Sequence, residues 1–289
     1  DKRRGKCCLG NFFSLFFFFS FIPAVFCQPF RSILTNFSNS KIEYSFLETD
    51  SFSHQSVKPL LTSEIPPYSS DNFNLKVKSD LNFNSFKLRI DPISYGNDVI
   101  SKSNIYTAGG GILFRGSYTE KLAVQWSYEA YETEPTMNSN DYYQRLKVLP
   151  QWDKVSRSGE AFSVQNFKGY ISYSPLKQIN LQLGKDLNFI GEGYRSLLLS
   201  DFSSPYSFLK VSACLPRIKY DFLITGFDNF YSTKGSSLQR DKHGVFHTLS
   251  FNLGKKINIT LFEGVIWQGE DSVGYKRGLD LNYLNPIIF

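Results

Sequence analysis

The chain has 289 residues, of which 42% are hydrophobic, 17% aromatic and 20% charged, with a formal net charge of +6. That length holds one large β domain or two average ones, and it can bury a core. Lys2, Arg3, Arg4 and Lys6 against Asp1 put +3 of the charge in the first 27 residues, so the remainder is only mildly basic. With no basic stripe, nucleic acid is excluded as a partner.

The start reads as a targeting signal. Arg3, Arg4 and Lys6 form a basic region ahead of an apolar run from Leu9 to Phe26 that is dominated by phenylalanine. Pro23 breaks the run, and a cut after Cys27 leaves Gln28 first. A retained membrane anchor is the rival, opposed by Pro23 and the short uninterrupted run. A lipoprotein cut before Cys27 is opposed by bulky Phe26. Cys7, Cys8 and Cys27 fall in the signal, so the mature chain keeps only Cys214, which excludes an internal disulfide and a thiol–metal cluster. Beyond Gln28 no window of about 18 apolar residues exists. A membrane crossing would therefore require a closed β-barrel, the one other structure that leaves no unpaired backbone in lipid.

Residues 28–72 are polar and Ser/Asn-rich, and they read as a periplasmic lead-in with a short helix around 41–48; a disordered tail is the rival for part of it. Alternation begins at Phe73, Leu75 and Val77, then Leu81 and Phe83. After the Gly109-Gly110-Gly111 run comes a hairpin with Ile112, Phe114, Gly116 and Tyr118 on one face. A turn at Thr119-Glu120-Lys121 follows, and Leu122, Val124, Trp126, Tyr128 and Ala130 return opposite Gln125, Ser127 and Glu129. A period of two over this length predicts strands, whichever medium the apolar face meets. The same pattern recurs at Ile179–Leu183, Ile218–Ile224, Leu249–Leu253 and Ile257–Leu261.

From residue 161 on, short turns at 175–177, 215–216 and 254–256 alternate with long connections at 188–206, 232–244 and 268–276. Upstream the rhythm falters, because 134–141 and 153–160 are both long. Short turns on one side and long loops on the other suit an outer-membrane barrel. A soluble sandwich also alternates, but uncharged apolar faces and many aromatics favour the barrel. The expected fold is all-β, an antiparallel transmembrane β-barrel with a small N-terminal periplasmic segment. Its parts are a signal peptide at 1–27, the lead-in at 28–72 and the barrel at 73–289. The chain stops in mid-pattern at Asn285-Pro-Ile-Ile-Phe289 and opens with Asp1, with about ten or eleven strands visible where bacterial barrels close on an even count. The barrel is accordingly read as incomplete, a fragment lacking its C-terminal part.

One stretch breaks the pattern. Gly184 to Val211 gathers Lys185, Asp186, Glu192, Arg195 and Asp201 around Gly191, Gly193 and a Leu-Leu-Leu run. Gly191 and Gly193 bracket Glu192, as a sharp turn or close backbone approach requires. Pro205 forces Ser204 to be extended just before the chain resumes alternation. This reads as a long charged insertion between two strands.

The stretch resembles the Wzi-type capsule-assembly family of outer-membrane proteins, and especially its relatives known as gliding motility proteins of the RemB type. The matching residues are Gly184-Lys-Asp, Gly191-Glu-Gly-Tyr-Arg-Ser-Leu-Leu-Leu-Ser-Asp201 and Pro205-Tyr206, with Tyr283-Leu-Asn-Pro-Ile-Ile-Phe289 as a second block. The likeness covers about 161–289. It implies a large barrel with a periplasmic helical part, acting as a lectin that holds capsular polysaccharide at the cell surface. The enterobacterial form has tryptophans around the first glycine, where this chain has Phe189 and Tyr194.

No catalytic motif is present. The histidines are His54, His243 and His247, and His247 and Ser250 would point to opposite faces of a strand. The candidate residues for polysaccharide binding or a lumen constriction are Asp186, Glu192, Tyr194, Arg195, Ser196, Ser200 and Asp201. Arg195 and Asp186 could not face lipid without a cost of about 2–4 kcal/mol, so they should point into the lumen or a loop cap. There Arg195 could pair with Asp186, Glu192 or Asp201 and staple the loop, or with Tyr194 contact an acidic glycan. Trp126, Trp152 and Trp267 are read as interface anchors or sugar platforms. No enzyme activity, cofactor or metal is expected. The expected function is binding or organising capsular polysaccharide at the outer membrane. The alternatives are an accessory of a gliding motility or adhesion apparatus, contacting motility or secretion proteins, and a porin for small solutes.

Overall fold

A computed structural model describes residues 57–58, 80–83, 86–100, 104–119, 121–134, 137–146, 148–149, 152–191, 196–227, 242–254, 257–270, 273 and 275–285. The expected signal peptide, most of the lead-in with its helix at 41–48, the alternation at Phe73–Val77 and residues 232–241 of the polar loop lie outside them. Within them the chain is mostly antiparallel β-sheet. Its elements are β1 (Val57–Lys58), β2 (Asp80–Phe83), β3 (Phe86–Ile100), β4 (Asn104–Tyr118), β5 (Leu122–Thr133), α1 (Met137–Leu146), β6 (Lys154–Ser158), β7 (Ala161–Leu176), β8 (Ile179–Asp186), β9 (Phe189–Ile190), β10 (Tyr206–Cys214), β11 (Ile218–Phe227), β12 (Lys242–Leu253) and β13 (Ile257–Gln268). A 3-10 turn follows at Leu281–Leu284. No described helix is long and apolar enough to cross a membrane.

An 11-stranded sheet runs in the order β13-β12-β11-β10-β8-β7-β5-β4-β3-β2, with β6 beside β7, while β1 and β9 pair by themselves. Neighbours are nearly consecutive in sequence, so the sheet is an up-and-down meander built from local hairpins. The Thr119–Lys121 turn between β4 and β5 lies where the alternation predicts it, with Thr119 at a positive φ of 52°.

The two faces of the sheet carry opposite chemistry, and the buried one is polar. Gln125, Ser127 and Glu129 of β5, Asn166 and Ser172 of β7, Asn180 and Gln182 of β8, Lys210 and Ser212 of β10, and Lys219 and Asp221 of β11 are all buried. Their alternating neighbours Tyr128, Phe167, Ile171, Leu183, Leu209 and Ile218 are exposed, as are Ile259 and Leu261 of β13. A sandwich would bury the second set and expose the first. Polar side chains tie the covered face across the strands. Asn180 Nδ2 donates to Ser172 Oγ at 2.8 Å and Ser174 Oγ at 2.9 Å. Ser212 Oγ donates to Asp221 at 2.5 Å, and Asp91 is shared by Arg89 and Arg115 across β3 and β4.

The connections sort by end. Turns around 84–85, 119–121, 177–178, 215–217 and 254–256 share one end, and the connections 101–103, 134–160, 187–205 and 228–241 share the other, all long but for 101–103. The rhythm thus extends upstream of residue 161, where the sequence pattern falters. Residues 134–141 and 153–160 are not two loops between strands of the meander. The first runs into α1, and the second is the hairpin joining β6 to β7. The helix eludes a periodicity reading because its polar Met-Asn-Ser-Asn-Asp start carries no apolar stripe. Its Arg145 and Asp141 pair at 2.6 Å one turn apart, and Tyr143 packs on Phe162 with centroids 4.9 Å apart.

Two prolines sit inside strands. Pro92 of β3 pairs with Ile112 of β4, but β2 accompanies β3 only from Phe86 to Arg89, so on that edge a missing N–H breaks no described ladder. Pro175 falls in the register shift between Tyr173 and Leu176, which carries β7 past the turn expected at 175–177. Gly184 lets β8 lie close to β7, since a Cβ there would run into the Gly169 carbonyl and the Tyr170 backbone. Gly184→Val should therefore cost about 1–3 kcal/mol of stability through overpacking, read as a lower urea midpoint with an unchanged slope.

Candidate functional site at the Gly184–Val211 insertion

Asp186 closes β8 on the covered face and is 2% exposed. Its Oδ1 accepts a hydrogen bond from Leu187 N at 2.8 Å, while Oδ2 is buried without a hydrogen-bond partner. The register that pairs Gly169 with Lys185 sets Lys168 beside Asp186. Lys168 attracts the Asp186 carboxylate and Glu129 repels it, and Lys168 itself lies 4.0 Å from Glu129. One half-buried cation thus serves two buried carboxylates, and removing it would leave their charge less well compensated. On the opposite face Lys185 Nζ reaches both carboxylate oxygens of Asp153 at 2.7 Å. Asp153 N donates to Asn166 Oδ1 at 2.9 Å. That ion pair closes the seam on β7 where β8 ends and β6 begins.

Beyond Asp186 the chain forms a closed loop anchored on β10. Asn188 N donates to the Tyr206 hydroxyl at 3.2 Å, and the hydroxyl donates to Asn188 O at 3.4 Å. Ile190 N donates to Leu199 O at 2.9 Å and Leu199 N to Ile190 O at 3.4 Å, drawing the loop into a hairpin. Ser196 Oγ fastens the hairpin by donating to Ile190 O while accepting from Leu198 N at 3.0 Å. Gly191 has φ +137°, and a Cβ there would collide with Ser196 Oγ, so only glycine fits. Ser200 Oγ accepts from Phe202 N at 3.3 Å and shapes the return turn. Half-buried Asp201 lies close enough for its charge to act on the Tyr206 hydroxyl. Tyr142 of α1 meets Phe202 edge-on at 6.2 Å, so the two long connections touch.

Of the seven candidate residues, Asp186, Ser196, Ser200 and Asp201 are placed by the structure, while Glu192, Tyr194 and Arg195 lie outside the described residues. Asp186 belongs to the covered face beneath the hairpin, Ser196 is its fastening, and Ser200 and Asp201 belong to its return. Sequence reasoning passed over Lys168, Asn188 and Tyr206. Lys168 was legible, because Asn166, Lys168 and Ser172 alternate with Phe167, Ile171 and Tyr173. The role of Asn188 was not, because its backbone rather than its side chain meets Tyr206.

The described residues hold no group of three His, Cys, Asp or Glu arranged for a metal. His247 and Ser250 do point to opposite faces. His247 lies on the apolar face, with Nδ1 2.7 Å from the Tyr220 hydroxyl and Nε2 3.0 Å from the Tyr283 carbonyl. The carbonyl can only accept, so Nε2 carries a proton. The Leu281–Leu284 turn therefore folds back over β11–β13, where the rings of Trp267 and Tyr283 meet at a tilt with centroids 5.0 Å apart. Trp126 stacks on Phe114 at 5.2 Å, and Trp152 packs on Tyr131 at 4.1 Å in a second apolar cluster.

Comparison with known protein families, with curated proteins and with solved structures finds no match.

Tyr206→Phe should cost about 1 kcal/mol through the lost hydroxyl contacts, measured by urea unfolding, and should speed hydrogen exchange in 187–205. Lys168→Met should cost about 3 kcal/mol by stranding two carboxylates. Adding Glu129→Gln and Asp186→Asn to that variant should recover most of the loss in the same titration.

Proposed function

We propose that the protein is an exported outer-membrane β-barrel that binds or organises polysaccharide at the cell surface without catalysing a reaction. The reversed burial of its strands carries the membrane part of this reading. A face of Leu, Ile, Phe and Tyr turned outward and a face of Asn, Gln, Ser, Lys and Asp turned inward suit hydrocarbon outside and a polar lumen inside. In water the same arrangement would leave apolar wall uncovered over many strands, far more than ordinary surfaces tolerate. The sorting of connections by length supports the same orientation, with the long set facing out of the cell.

The polysaccharide part rests on the resemblance of Gly184–Tyr206 and on the position of that insertion at the long-connection end. Polar and aromatic residues there offer hydrogen bonds and ring faces to sugars. A porin is less well supported. The hairpin and β1 lie on the covered face, and ion pairs such as Lys168 with Glu129 fill the space a solute would need.

Leu183 tests the membrane reading, since it is 61% exposed. In a soluble protein Leu183→Arg at such a position would change stability by no more than about 0.5 kcal/mol. In a bilayer-spanning strand it should cost about 2–4 kcal/mol near the midplane. Folding into lipid vesicles with the heat-dependent gel shift of a barrel distinguishes the two, and a neutral outcome overturns the proposal. For the ligand, Arg195→Ala and Tyr194→Ala should leave the folded band intact and reduce retention on an acidic polysaccharide column. Loss of the folded band in Arg195→Ala would instead assign that arginine to the loop's structure.

A further inference from the structure

The covered face changes character along β10, β11 and β12. Toward the short turns it carries Lys210 and Ser212, Lys219 and Asp221, and Thr248 and Ser250; toward the long connections it carries Tyr206, Phe208, Leu223 and Phe246. With Tyr170 of β7, these last four make an apolar patch on the covered face, separate from the cluster around Tyr131, Phe162 and Val164. Two residues from outside the large sheet fill it. Ile190 comes from the hairpin and is 2% exposed, and Val57 comes from far upstream and is 3% exposed. They are register partners in the antiparallel β1–β9 pair. On its other side Ile190 bridges Leu199, which also packs on the patch.

We infer that β1 is a strand latch that sets whether Ile190 and Leu199 lie on the covered face or leave it. The hairpin is fixed at its base by Tyr206 and within itself by Ser196, but neither contact presses Ile190 onto the patch. Val57 does, by completing the apolar seat around it. The pairing is two residues long on each side and takes no strand from the large sheet, so β1 can withdraw while the meander stays whole. Withdrawal leaves Ile190 beside an unfilled apolar site, which weakens its hold. Val57 is thereby coupled to Ile190 and Leu199, and a competing strand acting on β1 reports at those two residues. The latch depends on packing and not on a bilayer, so it stands or falls separately from the proposed function.

Hydrogen exchange on the full folded chain tests it. Val57→Asp, which puts a carboxylate into the patch, should speed exchange of the Ile190 and Leu199 amides about tenfold or more and leave amides of β10–β12 nearly unchanged. In a Cys214→Ser background, Val57→Cys with Ile190→Cys should cross-link, and the oxidised form should protect those two amides more than the reduced form. Unchanged hairpin exchange in Val57→Asp overturns the latch. So does an equal loss of protection in β10–β12, which would make Val57 an ordinary core residue, and so does failure of the cysteine pair to cross-link.

Discussion

The structure depends on a reversal of the usual partition between surface and interior. Along β5, β7, β8, β10 and β11 many oily side chains are exposed and many polar ones covered, and the polar set must then satisfy itself across strands. That requirement explains the Asn180 bonds to Ser172 and Ser174, the Ser212 bond to Asp221 and the sharing of Lys168 between Glu129 and Asp186. A buried polar group without a partner costs about 1–3 kcal/mol, so such contacts fix register as firmly as apolar packing does elsewhere. A slip of one residue would exchange the two faces of a strand entirely.

The insertion belongs to the same scheme. It leaves the sheet at Asp186, a charged residue on the covered face, and returns at Tyr206, whose hydroxyl holds Asn188 on both its N–H and its carbonyl. Between them the hairpin carries apolar Ile190 and Leu199 onto an apolar region of that face. Its hydroxyl-bearing residues act mainly on its own backbone, as Ser196 and Ser200 show. The described part of the insertion is thus a scaffold with its own fastenings.

Most of the sheet was legible in the sequence, because period-two alternation survives wherever one face differs from the other. The hairpin at 112–130 and the strands near 179, 218, 249 and 257 follow directly from it. β3 was harder, since Pro92 and the Gly96-Asn97-Asp98 run read as breakers, although Leu88 and Ile90 alternate with Lys87, Arg89 and Asp91. The helix at Met137–Leu146 and the β6–β7 hairpin escaped because neither carries a repeat long enough to register. Alternation alone cannot say which face is covered, and only the burial of Gln182 against exposed Leu183 decides it. At the insertion, Gly191 announced its positive φ, whereas the pairing of β1 with β9 joins segments too short and too distant to be read from either.

The fold-back of the Leu281–Leu284 turn interrupts the apolar face of the sheet. Where His247 meets Tyr220 and the Tyr283 carbonyl, the sheet is covered by its own chain. An amphiphile coating this face would find it shut at β11–β13, so the two edges of the sheet are chemically distinguishable.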